Sequence, residues 1–590
     1  MKLIVLIGHR GSGKSSLLQR LAGAFPEQGL YFDLDSEIEN KEGGAVSEIF
    51  EIKGEAAFRN LEAEVFQKLY PFAQMIAVGA GFDLKLIPES AKVVWIRRST
   101  DLQGRIFTDR PRLLQDTDPL SEFEIKRKER EPVFSFRAQF IYTAPEGIAL
   151  SDKAKELERK FFKSCFAETS EIIGGIKTVF PADLSKGFFA QPDYFELRDD
   201  LLSKNQIKQF ASLYGPERCL YSFRASSAYH LESYALIDQP IEMKNHLQIS
   251  ETKKMIFSSH HDDIYEGMRA LAEKPQSHLK LSPLIFHWKD LLAGHQWQQK
   301  DQKNRSFLPR SPEGRWKWYR LYQKGRQLLN FWYEGQSSAP DQPSFLEWAL
   351  QPKESESFAA VLGSPVFHSL SPMMHLDFFQ IRNHSFFAID IKEEEWNEAL
   401  SVLQFIGLKA AAVTAPLKKI AFKYCSHHEP LALELSSVNT MLFESELKKW
   451  LGANTDFLGF VKSLEGKELP PPFVIWGGGG VLSMIKKALP DASAYSARLA
   501  KPKTENCEFH SPLTVIWAAS PLTQIQFPPD SWQPKTIIDL NYAENSLGRQ
   551  YALETKSCYQ SGFKFFYYQA MEQQKFWNNF INFALKINKS

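Results

Sequence analysis

The sequence predicts a multidomain α/β protein, and three observations carry that prediction. At 590 residues the chain is too long for one hydrophobic core, and domains of about 100–200 residues make three or four units. Short apolar runs alternate with helical patterns in its first and last segments, as parallel sheets with crossover helices do. Two of those runs end in glycine-rich turns, GHRGSGKS at 8–15 and GGGG at 477–480.

Bulk properties narrow the classes. Apolar residues make up 43% and charged residues 24%, ordinary for a globular protein. A net charge of +1 argues against bulk electrostatic binding to nucleic acid. No stretch approaches the ~18 apolar residues of a membrane helix. Cys165, Cys219, Cys425, Cys507 and Cys558 are scattered without a CxxC pair, which fits a reducing compartment and neither a disulfide framework nor a zinc site. The run Leu3–Ile7 is shorter than the ~7–15 apolar residues of a signal peptide, so it reads as a buried first strand and the expected setting is cytoplasmic. Polar segments at 167–178 and 351–358 have linker composition, dividing the chain into 1–170, 176–350 and 357–590.

In the first segment the glycines let backbone N–H groups close around phosphate; Gly11 and Gly13 line the turn, Lys14 reaches the β/γ-phosphates and Ser15 ligates Mg²⁺. YFDLDSEIE places Asp33 and Asp35 at the end of an apolar run, where alternate strand positions share a face. GEAAFRNLE follows with Glu55, Arg59 and Glu62 at helical spacing, then AVGAGF. Together these resemble shikimate kinase, a P-loop kinase fold. The resemblance implies ATP and Mg²⁺, with Asp33 helping to hold the metal and Asp35 as catalytic base on the substrate hydroxyl. It also implies that Arg59, Gly81 and Arg130 bind substrate and that Arg112, or Arg110, is the lid arginine on ATP. The departures are Ala80 inside the usual triple-glycine turn, where a positive φ would cost about 1 kcal/mol, and Phe134 for a tyrosine.

In the middle segment FELRDDLL, LYSFRAS, MIFSSHHDD and HLKLSPL run from apolar into charged residues, as barrel strands do at their C-terminal ends. Lys280 lies in such a run with no acidic residue beside it, a setting that lowers a lysine's pKa and frees its amine to attack a carbonyl. The pattern resembles type I 3-dehydroquinate dehydratase, a Schiff-base lyase on a (β/α)8-type barrel. That implies Lys280 as the imine lysine, His261 as the proton-transfer residue with His260 competing, and Glu196 orienting the histidine. Arg198, Arg224, Arg320 and Gln342 would bind substrate. The stretch between Arg224 and His261 is short, so a shortened or incomplete barrel is expected.

In the last segment Ser369 and Ser371 alternate, then come AAVTAPLKK, SVNT, GANTDFLGF and a strand–GGGG–helix unit. Gly477, Gly479 and Gly480 suit a dinucleotide pyrophosphate, and Arg498 after the next strand suits a 2′-phosphate, favouring NADP(H). The run resembles shikimate dehydrogenase. This implies an α/β substrate domain at about 357–465, a Rossmann domain at about 466–565 and a C-terminal helix returning to the former. Lys418 and Asp456 would be the catalytic pair, with Ser369, Ser371, Thr414, Asn439, Asp456, Tyr542 and Gln569 on substrate. Ala412, Ser496-Ala497 and WAASPLT depart from the family's pattern on the cofactor side.

The order of the three resemblances is that of the C-terminal part of the fungal pentafunctional arom polypeptide. It implies a trifunctional enzyme taking 3-dehydroquinate through 3-dehydroshikimate and shikimate to shikimate 3-phosphate, with small anionic substrates, no nucleic-acid or membrane partner, and a homodimer left open. Two alternatives stand beside it: a working reductase with vestigial kinase or dehydratase segments, and an ATP-responsive regulatory module without catalysis.

Overall fold

The structure, a computed structural model, describes residues 3–107, 112–114, 116–167, 171–224, 233–243, 255–274, 277–353, 355, 357–503, 511–519 and 525–587. The expected parallel sheet is present in the first segment, whereas the sheets of the last segment carry antiparallel strands as well. In the first segment β1 (Ile4–Ile7) runs into the glycine turn and α1 (Lys14–Ala24). Next come β2 (Leu30–Asp33), α2 (Leu34–Glu42), α3 (Val46–Leu69), β3 (Ala73–Ala77), β4 (Lys92–Arg98), α4 (Pro119–Arg137), β5 (Phe140–Ala144) and α5 (Asp152–Ala167). Their sheet has the order β2-β3-β1-β4-β5, all parallel, so the glycine turn lies at the C-terminal edge of its central strand. β1 is buried along its whole length.

The middle segment contributes eight parallel strands. These are β6 (Ile176–Thr178), β7 (Tyr194–Arg198), β8 (Cys219–Ser222), β9 (Leu236–Pro240), β10 (Met255–Ser259), β11 (His278–Leu281), β12 (Arg305–Phe307) and β13 (Phe331–Trp332). Their order is β12-β11-β10-β9-β8-β7-β6-β13. The last strand pairs with the first, as barrel closure requires, yet among the described residues β12 and β13 do not pair. The result is a curled sheet with one open seam. Helices α6 (Lys204–Tyr214), α7 (Ile264–Ala272), α8 (Trp288–Gln299), α9 (Lys317–Tyr322) and α10 (Phe345–Leu350) follow β7, β10, β11, β12 and β13. Among the described residues none follows β8 or β9, the short stretch noted in the sequence.

The last segment opens with β14 (Phe358–Gly363), α11 (Ser371–Gln380), β15 (Ser385–Asp390), α12 (Trp396–Ile406), β16 (Leu408–Val413), α13 (Lys418–Tyr424), β17 (His427–His428), α14 (Pro430–Leu435), β18 (Thr440–Glu444), β19 (Lys449–Ala453) and α15 (Asp456–Leu464). That sheet is mixed, β15-β14-β16-β18-β19-β17. A second sheet, β22-β21-β20-β23-β24-β25, is built from β20 (Phe473–Gly477), β21 (Ser493–Ser496), β22 (Lys501–Pro502), β23 (Thr514–Ala518), β24 (Thr536–Asp539) and β25 (Cys558–Gln560), with α16 (Leu482–Ala488) and α17 (Leu547–Thr555). Finally α18 (Phe563–Ile587) returns to the first of these sheets, where Trp577 is buried against Phe379 and donates to the Met441 carbonyl.

One buried cluster runs through all three segments. Phe161 of α5 meets Phe345 of α10 edge-on at 4.7 Å, and Trp318 of α9 packs on Phe358 of β14 at 5.8 Å. Asp377 of α11 caps the start of α5, accepting from Ser151 Oγ and the Asp152 amide at 2.7 and 2.8 Å. Among the described residues no helix is long and apolar enough to cross a membrane.

Candidate functional sites

The phosphate turn is built for close approach. A Cβ on Gly8 would lie 2.4 Å from the Ile96 carbonyl, and Gly11 and Gly13 hold φ of +69° and +89°. Gly11, Gly13 and Ser15 are exposed, and Lys14 Nζ donates to the Gly8 and His9 carbonyls at 2.9 Å. Asp33 and Asp35 do not alternate on a strand as expected. β2 ends at Asp33, whose Oδ1 caps α2 by accepting from the Asp35 and Ser36 amides, so Asp35 sits in the first helical turn. Asp33 Oδ2 is buried and has no hydrogen-bond partner among the described residues, an acceptor that fits a cation beside Ser15.

Opposite the turn, Arg59, Glu62, Asp35 and Arg130 converge. Arg59 pairs with Glu62, and its guanidinium lies against Gly81, where a Cβ would stand 2.5 Å from Arg59 Nη2 and displace it. Burial raises the Glu62 carboxyl to about 7 against the pull of Arg59. Burial and Arg59 lower the Arg130 pKa, and Arg130 has no hydrogen-bond partner among the described residues. Two guanidiniums sharing a partly buried site fit an anionic ligand. Ala80 carries no positive φ, so the strain considered for it is absent. Phe134 is core, its ring tilted against those of His9 at 5.2 Å and Trp95 at 5.9 Å. Arg112 pairs with Glu122 at 2.5 Å and lines, with Arg10, Arg105 and Arg130, an open pocket. Arg110 lies outside the described residues.

In the curled sheet the charged residues gather at the C-terminal ends of the strands. Lys280, 5% exposed, stands over the Phe331 ring. Its expected lack of acidic neighbours is overturned: Asp238, two strands away on β9, lies 2.6 Å from its Nζ. Burial lowers the Lys280 pKa, and Asp238 opposes that shift. Asp238 also accepts from Arg224 at 2.8 Å, while its Oδ1 is buried and unpartnered among the described residues.

The two competing histidines differ in their surroundings. His261 is 31% exposed and turned to Ser259 Oγ and Glu242, each at 2.9 Å. His260 faces Lys280, Arg224 and Asp238; burial, then the two cations, push it down to about 2, and its Nε2 is buried without a hydrogen-bond partner among the described residues. Glu196 orients neither histidine, because Thr178 and Ser222 hydroxyls hold its carboxylate. Arg198 pairs with Asp200 at 2.6 Å and still feels Glu196 and Asp238. Arg320 is turned into the Pro309 carbonyl, and Arg310, donating to the His260 carbonyl at 3.1 Å, stands nearer the cluster. Gln342 is saturated by Ser338 and the Trp332 carbonyl within its own loop. The sequence reading missed Asp238 and Arg310. Both follow apolar runs (ALID and SFLPR), the signal that found Arg198 and Lys280.

In the last segment Lys418 Nζ lies 2.7 Å from Asp456 Oδ2, with Asp456 only 2% exposed. Asn439 Nδ2 donates to Asp456 Oδ1 at 2.7 Å, so both carboxylate oxygens are fixed and the lysine's position with them. Lys418 begins α13 and Asp456 begins α15, each just past a strand end. Tyr542 arrives from the second sheet, its hydroxyl accepting from the Leu370 amide at 3.4 Å beside Ser369. Ser369 Oγ accepts the Ser371 amide at 3.2 Å. Thr414 packs on Gly363, and the Gln569 backbone packs on Gly459 near the start of α15. Across the cleft, Gly477 has φ +96° and no room for a Cβ beside Ala519, while Gly479, Gly480 and Arg498 are exposed. Those open amides and that free-facing cation fit a dinucleotide with a 2′-phosphate, although Lys503 already donates to the Gly477 carbonyl at 2.6 Å. Among the described residues no three histidine, cysteine or carboxylate groups form a metal cluster.

A P-loop phosphoryl-transfer fold at one end and a two-sheet fold with a Lys–Asp pair in its cleft at the other define the class: a multidomain α/β protein with kinase-type and dehydrogenase-type units. Residues 10–161 match the family model for shikimate kinase, and residues 361–441 match that for the shikimate dehydrogenase substrate binding domain. Shikimate dehydrogenase (NADP(+)) of Moorella thermoacetica is 37% identical over 161 residues, 26% of this chain and 54% of that protein. The Prochlorococcus marinus enzyme is 36% identical over 134 residues, 22% and 46% of the two chains. The chain thus spans about half the length of the curated relatives it matches. Among solved structures, Aquifex aeolicus shikimate dehydrogenase aligns at 24% identity with a TM-score of 0.32, covering 38% of this chain and 92% of that one. A chorismate mutase/shikimate 5-dehydrogenase fusion protein from Clostridium acetobutylicum aligns at 21% with a TM-score of 0.33, covering 40% and 98%.

Proposed function

We propose that the chain is a trifunctional enzyme that dehydrates 3-dehydroquinate, reduces the resulting 3-dehydroshikimate and phosphorylates shikimate. The observation that carries this reading is the Lys418–Asp456–Asn439 arrangement, set in a segment that matches the dehydrogenase substrate-binding model while the first segment matches shikimate kinase. In the reductase, NADPH would supply hydride, with Gly479, Gly480 and Arg498 holding it. Lys418 holds the proton at the carbonyl oxygen and Asp456 keeps that ammonium in place. In the kinase, Asp35 accepts the proton of the attacking hydroxyl while Arg59 and Arg130 hold the substrate carboxylate. Lys14, Ser15 and Asp33 would hold ATP and Mg²⁺.

The dehydratase role rests on the Lys280 cluster alone. Burial lowers the Lys280 pKa, while Asp238, held against its own burial well below the usual carboxylate range by Lys280 and Arg224, keeps the ammonium in place; once that proton passes to water as substrate enters, the neutral amine can attack the substrate carbonyl. The imine acidifies the adjacent C–H; neutral His260 accepts that proton and passes it to the departing hydroxyl, which leaves as water, and hydrolysis of the imine then frees Lys280. Arg198, Arg224 and Arg310 supply the charge that binds a carboxylate.

The test is orthogonal loss. Lys14→Met should abolish ADP release with shikimate and spare NADPH oxidation with dehydroshikimate, and Lys418→Met should do the reverse. If either substitution removes both activities in a folded chain, the assignment of separate sites is wrong. If the intact chain shows neither activity, the enzymatic reading fails.

A further inference from the structure

The loop 540–546 between β24 and α17 reaches two sites at once. Its Tyr542 stands beside Ser369 in the reductase cleft. Two residues on, Glu544 crosses to the first segment, where its Oε2 lies 2.8 Å from Arg98 Nη1 and 2.9 Å from Arg105 Nε. Those arginines are not ordinary surface partners. Arg98 Nη1 also donates to the Gly11 carbonyl at 3.0 Å, and Arg105 Nη1 donates to the Arg10 carbonyl at 3.2 Å. Both peptides belong to the phosphate turn. Two further bonds seat the loop, Ile106 N to the Glu544 carbonyl at 2.8 Å and Asn545 Nδ2 to the Gln103 carbonyl at 3.1 Å, and Arg549 Nη1 of α17 adds one to the Ile106 carbonyl at 3.2 Å.

We infer that Glu544 is a positioning residue for the nucleotide site of the first segment, supplied by the last. The inference rests on the reading of that turn as an ATP site. One carboxylate fixes the spacing of two guanidiniums, and each guanidinium fixes one turn carbonyl. The peptide whose carbonyl is held has its plane set as well, and with it the direction of the next N–H: beyond the Arg10 carbonyl this is the Gly11 N–H, available to phosphate, and beyond the Gly11 carbonyl it is the Ser12 N–H, which closes the turn on the His9 carbonyl at 3.2 Å. Each arginine has a carboxylate of its own segment, Glu146 on Arg98 and Asp101 on Arg105, and Asp101 also accepts from the Arg98 backbone amide at 3.0 Å; among the described residues Glu544 is the carboxylate that pairs with both guanidiniums. Removing its charge has two opposed effects. The turn loses a geometric brace, and the phosphate site loses a nearby negative charge. Arg105 is 1% exposed and cannot turn to solvent, so the brace is the larger effect and nucleotide binding weakens.

The experiment is calorimetric titration of the full chain with MgADP, which needs no acceptor substrate. Glu544→Gln should raise the dissociation constant about threefold to tenfold, the range for residues that act through a network. The apparent KM for ATP should rise with kcat held. Glu544→Asp, one methylene short of spanning both arginines, should fall between. Asn545→Ala, an uncharged contact of the same loop, should stay within about twofold of wild type. Unchanged or tighter binding by Glu544→Gln overturns the inference, because charge relief then outweighs the brace. Equal weakening by Asn545→Ala overturns it too, because general loosening of the interface then suffices. If Glu544→Gln does not fold, Glu544→Asp decides: weakened binding supports the role and wild-type binding removes it. If the wild-type chain binds no MgADP, the nucleotide reading itself is wrong and the inference falls with it.

Discussion

At Lys280 the fold makes two demands that pull in opposite directions. Burial favours the neutral amine, and Asp238 at 2.6 Å favours the ammonium. A Schiff-base role therefore needs the Lys280 proton to leave when substrate enters, and Asp238, held against its own burial well below the usual carboxylate range by Lys280 and Arg224, does not retain it. It follows that borohydride added with 3-dehydroquinate should attach a stable mass to the Lys280 peptide. His260→Ala should still take the label but lose dehydration by about 10²-fold or more, while His261→Ala should turn over near the wild-type rate. Turnover surviving in His260→Ala would return the proton-transfer role to His261. In the reductase, Lys418→Ala should lower kcat/KM for dehydroshikimate by about 10²-fold or more without changing ATP use, and a loss below tenfold would remove it from proton transfer. Lys418 and Asp456 were legible because each lies in a long local motif. His260 was not, because two adjacent histidines carry no sequence signal for which one turns inward; the end of β10 and the position of Glu242 decide it.

Elements were easier to read where one strand delivers one turn. β1 and its glycines follow from an apolar run meeting GHRGSGKS, and the structure adds why Gly8 is required, a Cβ there meeting Ile96 O at 2.4 Å. Gly8→Ala should therefore weaken MgADP binding and lower the melting temperature, while Gly23→Ala, in α1 with open space around it, should do neither. An unchanged Gly8→Ala chain would mean that β4 lies farther from the turn than described. The strand-alternation argument for Asp33 and Asp35 failed because the helix begins at Leu34, a boundary set by Asp33 capping its own successors. The strands of the curled sheet were legible as apolar-to-charged runs. Their pairing order and the Lys280–Asp238 contact were not, since both depend on strands far apart in sequence.

At the scale of the whole molecule the segments share buried surface, through Phe161–Phe345, Trp318–Phe358 and the Asp377 cap, and this continuity has no local sequence signature. Several histidines are buried or half-buried in the segments so joined. Burial lowers His9, His278 and His295 to about 4, His375 to about 3 and His260 to about 2, against an ordinary 6.5. Each folded pKa is depressed, so the unfolded chain binds these protons first. Their stabilising contribution is complete above pH ~6.5 and declines as pH falls toward the folded values, by up to about 1.4 kcal/mol per pH unit for each histidine. The urea midpoint should drop steadily between pH 6.5 and 4.5, and a flat midpoint over that range would mean these histidines are accessible in the folded chain.

The claim that one chain performs consecutive steps is tested most directly by product identity. The purified chain is given 3-dehydroquinate, NADPH and ATP with Mg²⁺, and the products are identified by mass. The account predicts shikimate 3-phosphate, with one NADPH oxidised and one ADP released per molecule formed. Unconverted 3-dehydroquinate, in a chain that still reduces dehydroshikimate and phosphorylates shikimate, would contradict it by showing that the Lys280 cluster is not a dehydratase.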